Sequence, residues 1–429
     1  MEKTLYNQRT IENQKKGIGE ITLNQLADFF LVLSIYLYAY RGNIGAIVAI
    51  FSIVSRVFCG KILINKNTLN TFWCLFLLLF AILLYLIRTL NFEFYVFVAY
   101  VTSCILLICS KQINYAFVFK GLFYISVFCL IGVLFQFLIP SVFNWIIVKV
   151  FPSDVSSAII SRATNGYVTG FTREVSYSTL FLSYGLMYVF FRDKKLSYKI
   201  IWGLIFVFAL LLTGKKAQPI FCILSILLVF FIGSKNIIKK LKICLAVAIV
   251  LLLIAATYPI WKNISFLSRV VSFIEAFLND GNEIGLTSGR TVLYERALEL
   301  WEQNKWFGIG WTNFRELGAY GSSQYTTWFQ YFDVHNCYLQ VLCENGIIGM
   351  IIYVALVIST LVCLMRYIRK SKKRSVLLAA CYLLFFFLYS ITGTCLYTDS
   401  CFIIFFLCIS YLSSFGSKNE VNENIKYKA

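Results

Sequence analysis

His335 is the single histidine of the chain. With an ordinary pKa of about 6.5, it is the one side chain naturally suited to moving a proton near neutrality. Cations that could face an anion stand between apolar runs: Arg162, Arg173, Lys215, Lys216 and Arg290. Arg173 and Glu174 precede an apolar run at 176–191, Lys215 and Lys216 precede one at 217–233, and Asp333, His335 and Asn336 open one at 337–365. If these runs are helices starting on the same side, their unpaired N–H groups and positive dipole ends meet the cations there. Arg290 falls in the first turn of an amphipathic segment, where its charge opposes the dipole unless an anion shares the site. Together these groups would make a cradle for phosphate or pyrophosphate.

Each of these residues also has a plainer reading. A single cation can snorkel toward lipid head groups, and His335 can be an interfacial cap of the helix it precedes. Lys215 and Lys216 sit side by side in a tight Thr213-Gly214 turn, so their repulsion favours a bound anion. Asn336, Gln340 and Glu344 recur every four residues as one polar stripe. Glu344 is about half a turn out of phase with His335 in a straight helix, so it reads as a support, bonded to a neighbouring helix or a loop amide.

The elements that must position these residues follow from composition. Of 429 residues, 59% are hydrophobic and 14% charged, with a mean hydropathy of +0.76. Soluble chains carry about 25% charged residues, so the sequence predicts an all-α polytopic membrane protein and excludes a secreted one. Apolar runs predict about 12 transmembrane helices and one large, partly helical extracytoplasmic loop. The expected order is a cytoplasmic tail (1–25), nine helices over 26–260 with an outer loop at 140–175, the large outer loop (261–335), three helices over 336–415, and a second cytoplasmic tail (416–429). No cleaved signal peptide is expected.

The net charge of +19 invites a nucleic-acid reading, but its placement argues against one. The clusters at Arg192–Lys199, Lys235–Lys242 and Arg366–Arg374 all fall on the inner side when both termini are cytoplasmic, as the positive-inside rule requires. They suit anionic membrane lipids, and no nucleic acid is expected as a partner. The fourteen cysteines lie mostly inside apolar runs without a CxxC pair and read as small buried hydrophobes. Cys395 and Cys401 flank a short outer turn and are the one pair whose spacing suggests a bridge. No metal site and no cofactor are expected.

The outer loop at 261–335 holds five of the eight tryptophans, namely Trp261, Trp301, Trp306, Trp311 and Trp328. They suit an interfacial aromatic belt, and Trp306, Trp311 and Trp328 also suit stacking on sugar rings. The three-to-four spacing in Ser288–Asn304 predicts an amphipathic helix. Ser141–Phe151, between Pro140 and Pro152, reads as a segment lying along the interface or re-entering it.

Several motifs in order resemble the O-antigen polymerase and ligase family. They are Ser288-Gly289-Arg290 with the helix through Trp301, Trp306-Phe307-Gly308-Ile309-Gly310-Trp311-Thr312-Asn313-Phe314, His335-Asn336-Cys337-Tyr338-Leu339, and Glu344-Asn345-Gly346-Ile347-Ile348-Gly349. Gly170-Phe171-Thr172-Arg173-Glu174 resembles the family's segment before a middle helix. The turn at Lys215 and Lys216 departs from it, since relatives commonly carry a Ser-Arg pair there and lysines supply charge without bidentate geometry.

The resemblance implies a bacterial cytoplasmic-membrane glycosyltransferase that needs no metal and works on the outer face. Its substrates would be undecaprenyl-diphosphate-linked oligosaccharides, as donor and as acceptor, polymerised into capsule, O-antigen or a related polysaccharide. It implies catalytic roles for His335 and Arg290, diphosphate binding by Arg173, Arg162, Lys215 and Lys216, and support from Glu174, Asn336 and Glu344. A chain-length regulator and a flippase are candidate partners. The alternative within the same chemistry is a ligase that moves lipid-linked glycan to another acceptor. A flippase or other transporter is a second alternative, although transporters usually show internal repeats and broken polar helices at mid-membrane. A structural scaffold would leave the clustered cations unexplained.

Overall fold

The computed structural model describes residues 22–58, 69–264, 271–272, 274–275, 290–318 and 332–426. Most of the N-terminal tail, Ser288, Gly289, Trp328 and the last three residues lie outside the described residues. Helices form on all twelve apolar runs: α1 (Leu23–Tyr40), α2 (Gly42–Phe58), α3 (Leu69–Arg88), α4 (Phe94–Ile108), α5 (Tyr115–Leu138), α8 (Val175–Phe191), α9 (Leu196–Leu212), α10 (Ala217–Gly233), α11 (Ile237–Ala256), α13 (Cys337–Lys370), α14 (Arg374–Tyr389) and α15 (Asp399–Lys426). Between them lie α6 (Pro140–Val150), α7 (Ser153–Thr164) and α12 (Arg290–Gln303). No strand occurs among the described residues. Four stretches are long and apolar enough to cross a membrane, namely Leu23–Tyr40, Thr71–Arg88, Tyr115–Leu138 and Cys337–Lys370, and further apolar helices are shorter.

The helix starts are chemically marked. Thr22 and Gln25 form a capping box on α1, Asn114 and Asn336 cap α5 and α13, and Pro140 stands in the first turn of α6, where its missing N–H has no consequence. Packing pairs α1 with α2, α5 with α8, α3 with α13, and α14 with both α10 and α15. Helix α14 and residues 399–415 of α15 are buried almost all round, with Phe386 and Phe405 stacked at 4.1 Å. Elsewhere large apolar side chains such as Leu79, Ile87, Leu204 and Leu252 face outward, as a lipid solvent favours. Buried hydroxyls tie helices together: Ser52 donates to the Ala27 carbonyl and Ser400 to that of Ile35. Such side-chain bonds are a common glue between membrane helices. Asp28 and Arg56 form a buried ion pair at 2.6 Å, and Asp28 also accepts from the Asn114 amide. Cys395 and Cys401 are free thiols.

The 140–175 segment folds as a helix pair. Phe143 and Ile147 of α6 pack on Val155 and Ile159 of α7, while Trp145, Val148 and Val150 are exposed. The expected amphipathic helix is α12, whose buried residues Leu293, Ala297 and Leu300 keep the three-to-four spacing and pack on Ile309, Phe314, Val334 and Cys343.

The 34-residue helix α13 is interrupted at Gly346, which has φ 65° and ψ −166°. The break frees the carbonyls of Cys343 and Glu344 and the amides of Ile347 and Ile348. All four are satisfied by one loop segment. Ile309 N donates to Cys343 O (3.0 Å) and Gly310 N to Glu344 O (2.9 Å), while Ile347 N donates to Lys305 O (2.8 Å) and Ile348 N to Trp306 O (3.3 Å). Two glycines permit this approach. A Cβ on Gly346 would lie 2.2 Å from the Trp306 carbonyl oxygen, and one on Gly308 would lie 2.3 Å from the Glu344 carbonyl carbon. Gly346→Ala therefore adds a clash to a left-handed backbone that by itself costs about 1–3 kcal/mol. The expected outcome is a lower thermal unfolding midpoint in detergent; a wild-type midpoint would show that the loop does not hold the break.

Candidate functional site

A cavity of about 1060 Å³ opens at one end of the bundle, where α1, α3, α5, α9 and α14 end and α2, α4, α8, α10, α13 and α15 begin. It brings together Arg162, Arg173, Glu174, Lys215, Arg290 and His335, which are widely separated in sequence. It adds Arg41, Arg315, Asp154, Asp333 and Asp399, so six basic side chains face four acidic ones.

The basic residues fall into two groups. The first gathers where α1 meets α2. Gln136 Oε1 accepts from the Thr169 and Gly170 amides, Tyr36 donates to the Phe171 carbonyl, and Arg173 N bonds to Ala39 O. These bonds set the 169–174 segment beside Arg41. Arg162 pairs with Glu174 at 3.0 Å and Arg41 with Asp154 at 3.6 Å. Both pairs are partly exposed, and such pairs contribute about 0–1 kcal/mol each, so an incoming anion can displace them. The Arg173 side chain is exposed and makes no ion pair among the described residues.

The second group surrounds His335. Arg290 opens α12 and donates from Nη1 to the Thr392 carbonyl at 2.7 Å, which anchors its guanidinium to the α14–α15 connection. Lys215 is presented by the Thr213-Gly214 turn, in which the Thr213 hydroxyl is buried and donates to Leu210 O. Arg315 clamps Asp333 with two bonds of 2.8 and 2.9 Å. Gln340 donates to both Asp333 and Glu344 and accepts from the Val334 amide. Glu344 is fully buried and accepts from the amides of Thr312 (2.8 Å) and Phe314 (3.1 Å), at the head of the turn that carries Arg315. Asn313 staples the same turn to the end of α3 through Leu90 N and Arg88 O.

His335 itself has φ 59°, a left-handed conformation uncommon outside glycine. It is held between the Gln340 contact at Val334 and the Asn336 cap of α13, whose Oδ1 accepts from Tyr338 N and Leu339 N. Burial, followed by the charges of Arg290, Lys215 and Arg315, lowers the imidazole pKa to about 4, against an opposing pull from Asp333. The ring is therefore neutral at ordinary pH, with a lone pair to offer. Burial alone would raise Asp333, but pairing with Arg315 and the Gln340 bond outweigh it, so its carboxyl is held below the usual value and stays ionised. Asp333 in turn raises Arg315.

Lys216, Asn336 and Glu344 do not line the cavity. Lys216 is the N-cap residue of α10, Asn336 caps α13, and Glu344 binds loop amides. Trp311, a candidate for sugar stacking, is instead core: it is 1% exposed, stacked on Tyr397 at 5.0 Å and edge-on to Tyr100. Trp306 is exposed but lies outside the lining, whose rings are mainly tyrosine. Sequence reasoning missed Arg41, Arg315 and Asp399. Arg41 stands alone between two apolar runs and Arg315 directly follows the Trp306–Phe314 motif, so both carried a weak signal. Among the described residues no group of three or more His, Cys, Asp or Glu could hold a metal ion.

The Glu344 clamp has a direct test. Glu344→Gln replaces one accepting oxygen with an amide donor facing a backbone N–H, at a cost of about 1–3 kcal/mol. The expected outcome is faster tryptic cleavage after Lys305 in the folded protein; unchanged cleavage would mean that the carboxylate does not hold the loop.

The fold and this cavity define a multi-pass helical membrane protein with a polar, net cationic chamber at one end. Residues 201–354 match the family model described as O-antigen ligase, consistent with the O-antigen polymerase/ligase family. The match takes in Lys215, Arg290, His335 and Glu344 and leaves Arg162 and Arg173 outside. It supports a membrane function of the O-antigen ligase or polymerase type. No curated protein matches the chain.

Proposed function

We propose that the protein polymerises undecaprenyl-diphosphate-linked oligosaccharide repeat units on the outer face of the bacterial cytoplasmic membrane. The observation that carries this reading is the cavity itself, which gathers five of the six basic and imidazole side chains expected from sequence to meet a diphosphate. In the proposed step an acceptor hydroxyl oxygen bonds to the anomeric carbon of the donor, and the bond from that carbon to the diphosphate breaks. The diphosphate leaves with the electron pair, and the hydroxyl proton passes to the neutral His335. Negative charge grows on the leaving group, where Arg290 and Lys215 lower the barrier by preorganised electrostatics. Proton transfer to a positioned base contributes roughly 100- to 10,000-fold.

Two cationic groups favour polymerase over ligase. A polymerase must accommodate two lipid diphosphates, and the Arg290–Lys215 group suits the donor while the Arg41–Arg162–Arg173 group suits the acceptor. A ligase with a lipid-free acceptor needs only the first. The description of the matched family model favours the ligase reading, so the experiment must separate the two. Purified protein given lipid-linked repeat units and nothing else is expected to yield a ladder of products. Transfer that begins only when a lipid-free acceptor is added would establish a ligase instead.

A further inference from the structure

The cavity has a wall of different chemistry from its cationic groups. Tyr38 at the end of α1, Tyr95 in α4 and Tyr177 in α8 line it together with Asp399, the first residue of α15. The Asp399 carboxylate is near enough to all three tyrosines to act on each electrostatically. Its other charged neighbours are Arg315, Glu93 and Asp333, and Arg315 is already clamped to Asp333; burial outweighs the pull of Arg315 and raises the Asp399 carboxyl to about 7, so it is fully ionised only above neutrality. Asp399 itself makes no ion pair among the described residues. Tyr95 is occupied by a 2.7 Å bond to Glu93 and Tyr38 by the Tyr95 carbonyl, whereas the Tyr177 hydroxyl makes no hydrogen bond among the described residues.

This wall suits neither a phosphate nor a lipid tail. A phosphate would meet the Asp399 and Asp333 carboxylates beside one engaged arginine, and a hydrocarbon would strand the carboxylate and hydroxyl in an apolar setting. A sugar ring meets both demands: its hydroxyls donate to the carboxylate, and its apolar face rests on tyrosine.

We infer that the Asp399–Tyr177 wall binds the hydroxyl-bearing terminal sugar of the acceptor glycan, accepts a neutral or amino sugar, and rejects a sugar carrying a carboxylate or phosphate. The inference rests on the proposed transfer, because it assigns that reaction's acceptor. Rejection arises from like charge: an acidic sugar would lose its hydration beside Asp399 and Asp333, where the adjoining guanidinium, Arg315, is already engaged.

The test uses the full-length protein in lipid nanodiscs at pH 8.5, where Asp399 is ionised, and three probes, methyl glucoside, methyl glucosaminide and methyl glucuronide, read by saturation-transfer NMR. Wild type is expected to bind the first two and not the glucuronide. Asp399→Asn, which is nearly isosteric, should weaken methyl glucoside about tenfold, the loss of one charge-assisted hydrogen bond, and should admit the glucuronide. Tyr177→Phe should weaken methyl glucoside without admitting the glucuronide. Equal binding of glucuronide and glucoside by wild type, no binding of any probe, or an Asp399→Asn profile identical to wild type would each overturn the inference. Binding of inorganic pyrophosphate, measured in parallel, reports the cationic groups separately. It should persist in Asp399→Asn and weaken in Arg290→Ala, and its failure in wild type would strike the transfer reading rather than the sugar assignment.

Discussion

His335→Ala is expected to lower the rate of glycan transfer by about 100- to 10,000-fold, the usual contribution of a positioned base, while leaving the protein folded. The ring's only strained feature is its left-handed backbone, which the alanine inherits, so stability should change little. The pH profile distinguishes a base from a spacer. Burial and then Arg290, Lys215 and Arg315 disfavour the charged form of His335 and lower its pKa to about 4. Protonation removes the lone pair that accepts the hydroxyl proton, so activity is lost as pH falls. The acid limb of kcat/KM, which reports the free enzyme, should therefore lie near 4. A bound diphosphate offsets the positive field of Arg290 and Lys215 and raises the imidazole, so the limb of kcat should lie higher. Coincident limbs, or a kcat/KM limb near the ordinary histidine value, would remove His335 as the base. A wild-type rate in His335→Ala would do so more simply.

Arg290→Ala is expected to reduce kcat by about 100- to 1,000-fold, as does removal of one preorganised group facing developing negative charge. Arg290→Lys should also be severe. The arginine commits Nη1 to the Thr392 carbonyl and keeps its remaining N–H groups for the cavity, whereas a single ammonium has no rigid fork with which to serve both. A second signature accompanies the alanine variant: with one depressing charge gone, the acid limb set by His335 should move upward. Burial, the larger cause, remains, so the limb should stay below the ordinary value. If Arg290→Lys works as well as wild type, the residue supplies charge alone.

The helices were legible because lipid-facing and core positions are both apolar, so each run stands out whatever it packs against. The α12 helix was legible from the spacing of Val292, Leu293, Leu298 and Trp301, although the face it buries is Leu293, Ala297 and Leu300 with Leu298 exposed; the cations were legible from their position at the edges of apolar runs. The interruption of α13 was not, because it depends on through-space pairing of residues 305–310 with 343–348. Helical periodicity carries Glu344 smoothly past Gly346, and only the folded loop shows that the glycine pair is the contact point. Arg315 and Asp333 were opaque for a related reason: their clamp joins two sides of a loop whose path the sequence does not reveal. Trp311 misled in the other direction. A loop tryptophan near a signature motif suits sugar stacking, but both neighbours that would free its face, Tyr397 and Tyr100, close on it instead. The cavity's tyrosines come from α1, α4 and α8, so no local pattern announces that they meet.

The most direct measurement is a cryo-EM structure of the full-length protein with undecaprenyl diphosphate bound. The account predicts the diphosphate at the Arg290–Lys215 side of the cavity, with an oxygen about 3 Å from the Arg290 guanidinium and the His335 ring facing the anomeric position. Density for the diphosphate outside the cavity, or an imidazole turned away from it, would contradict the account.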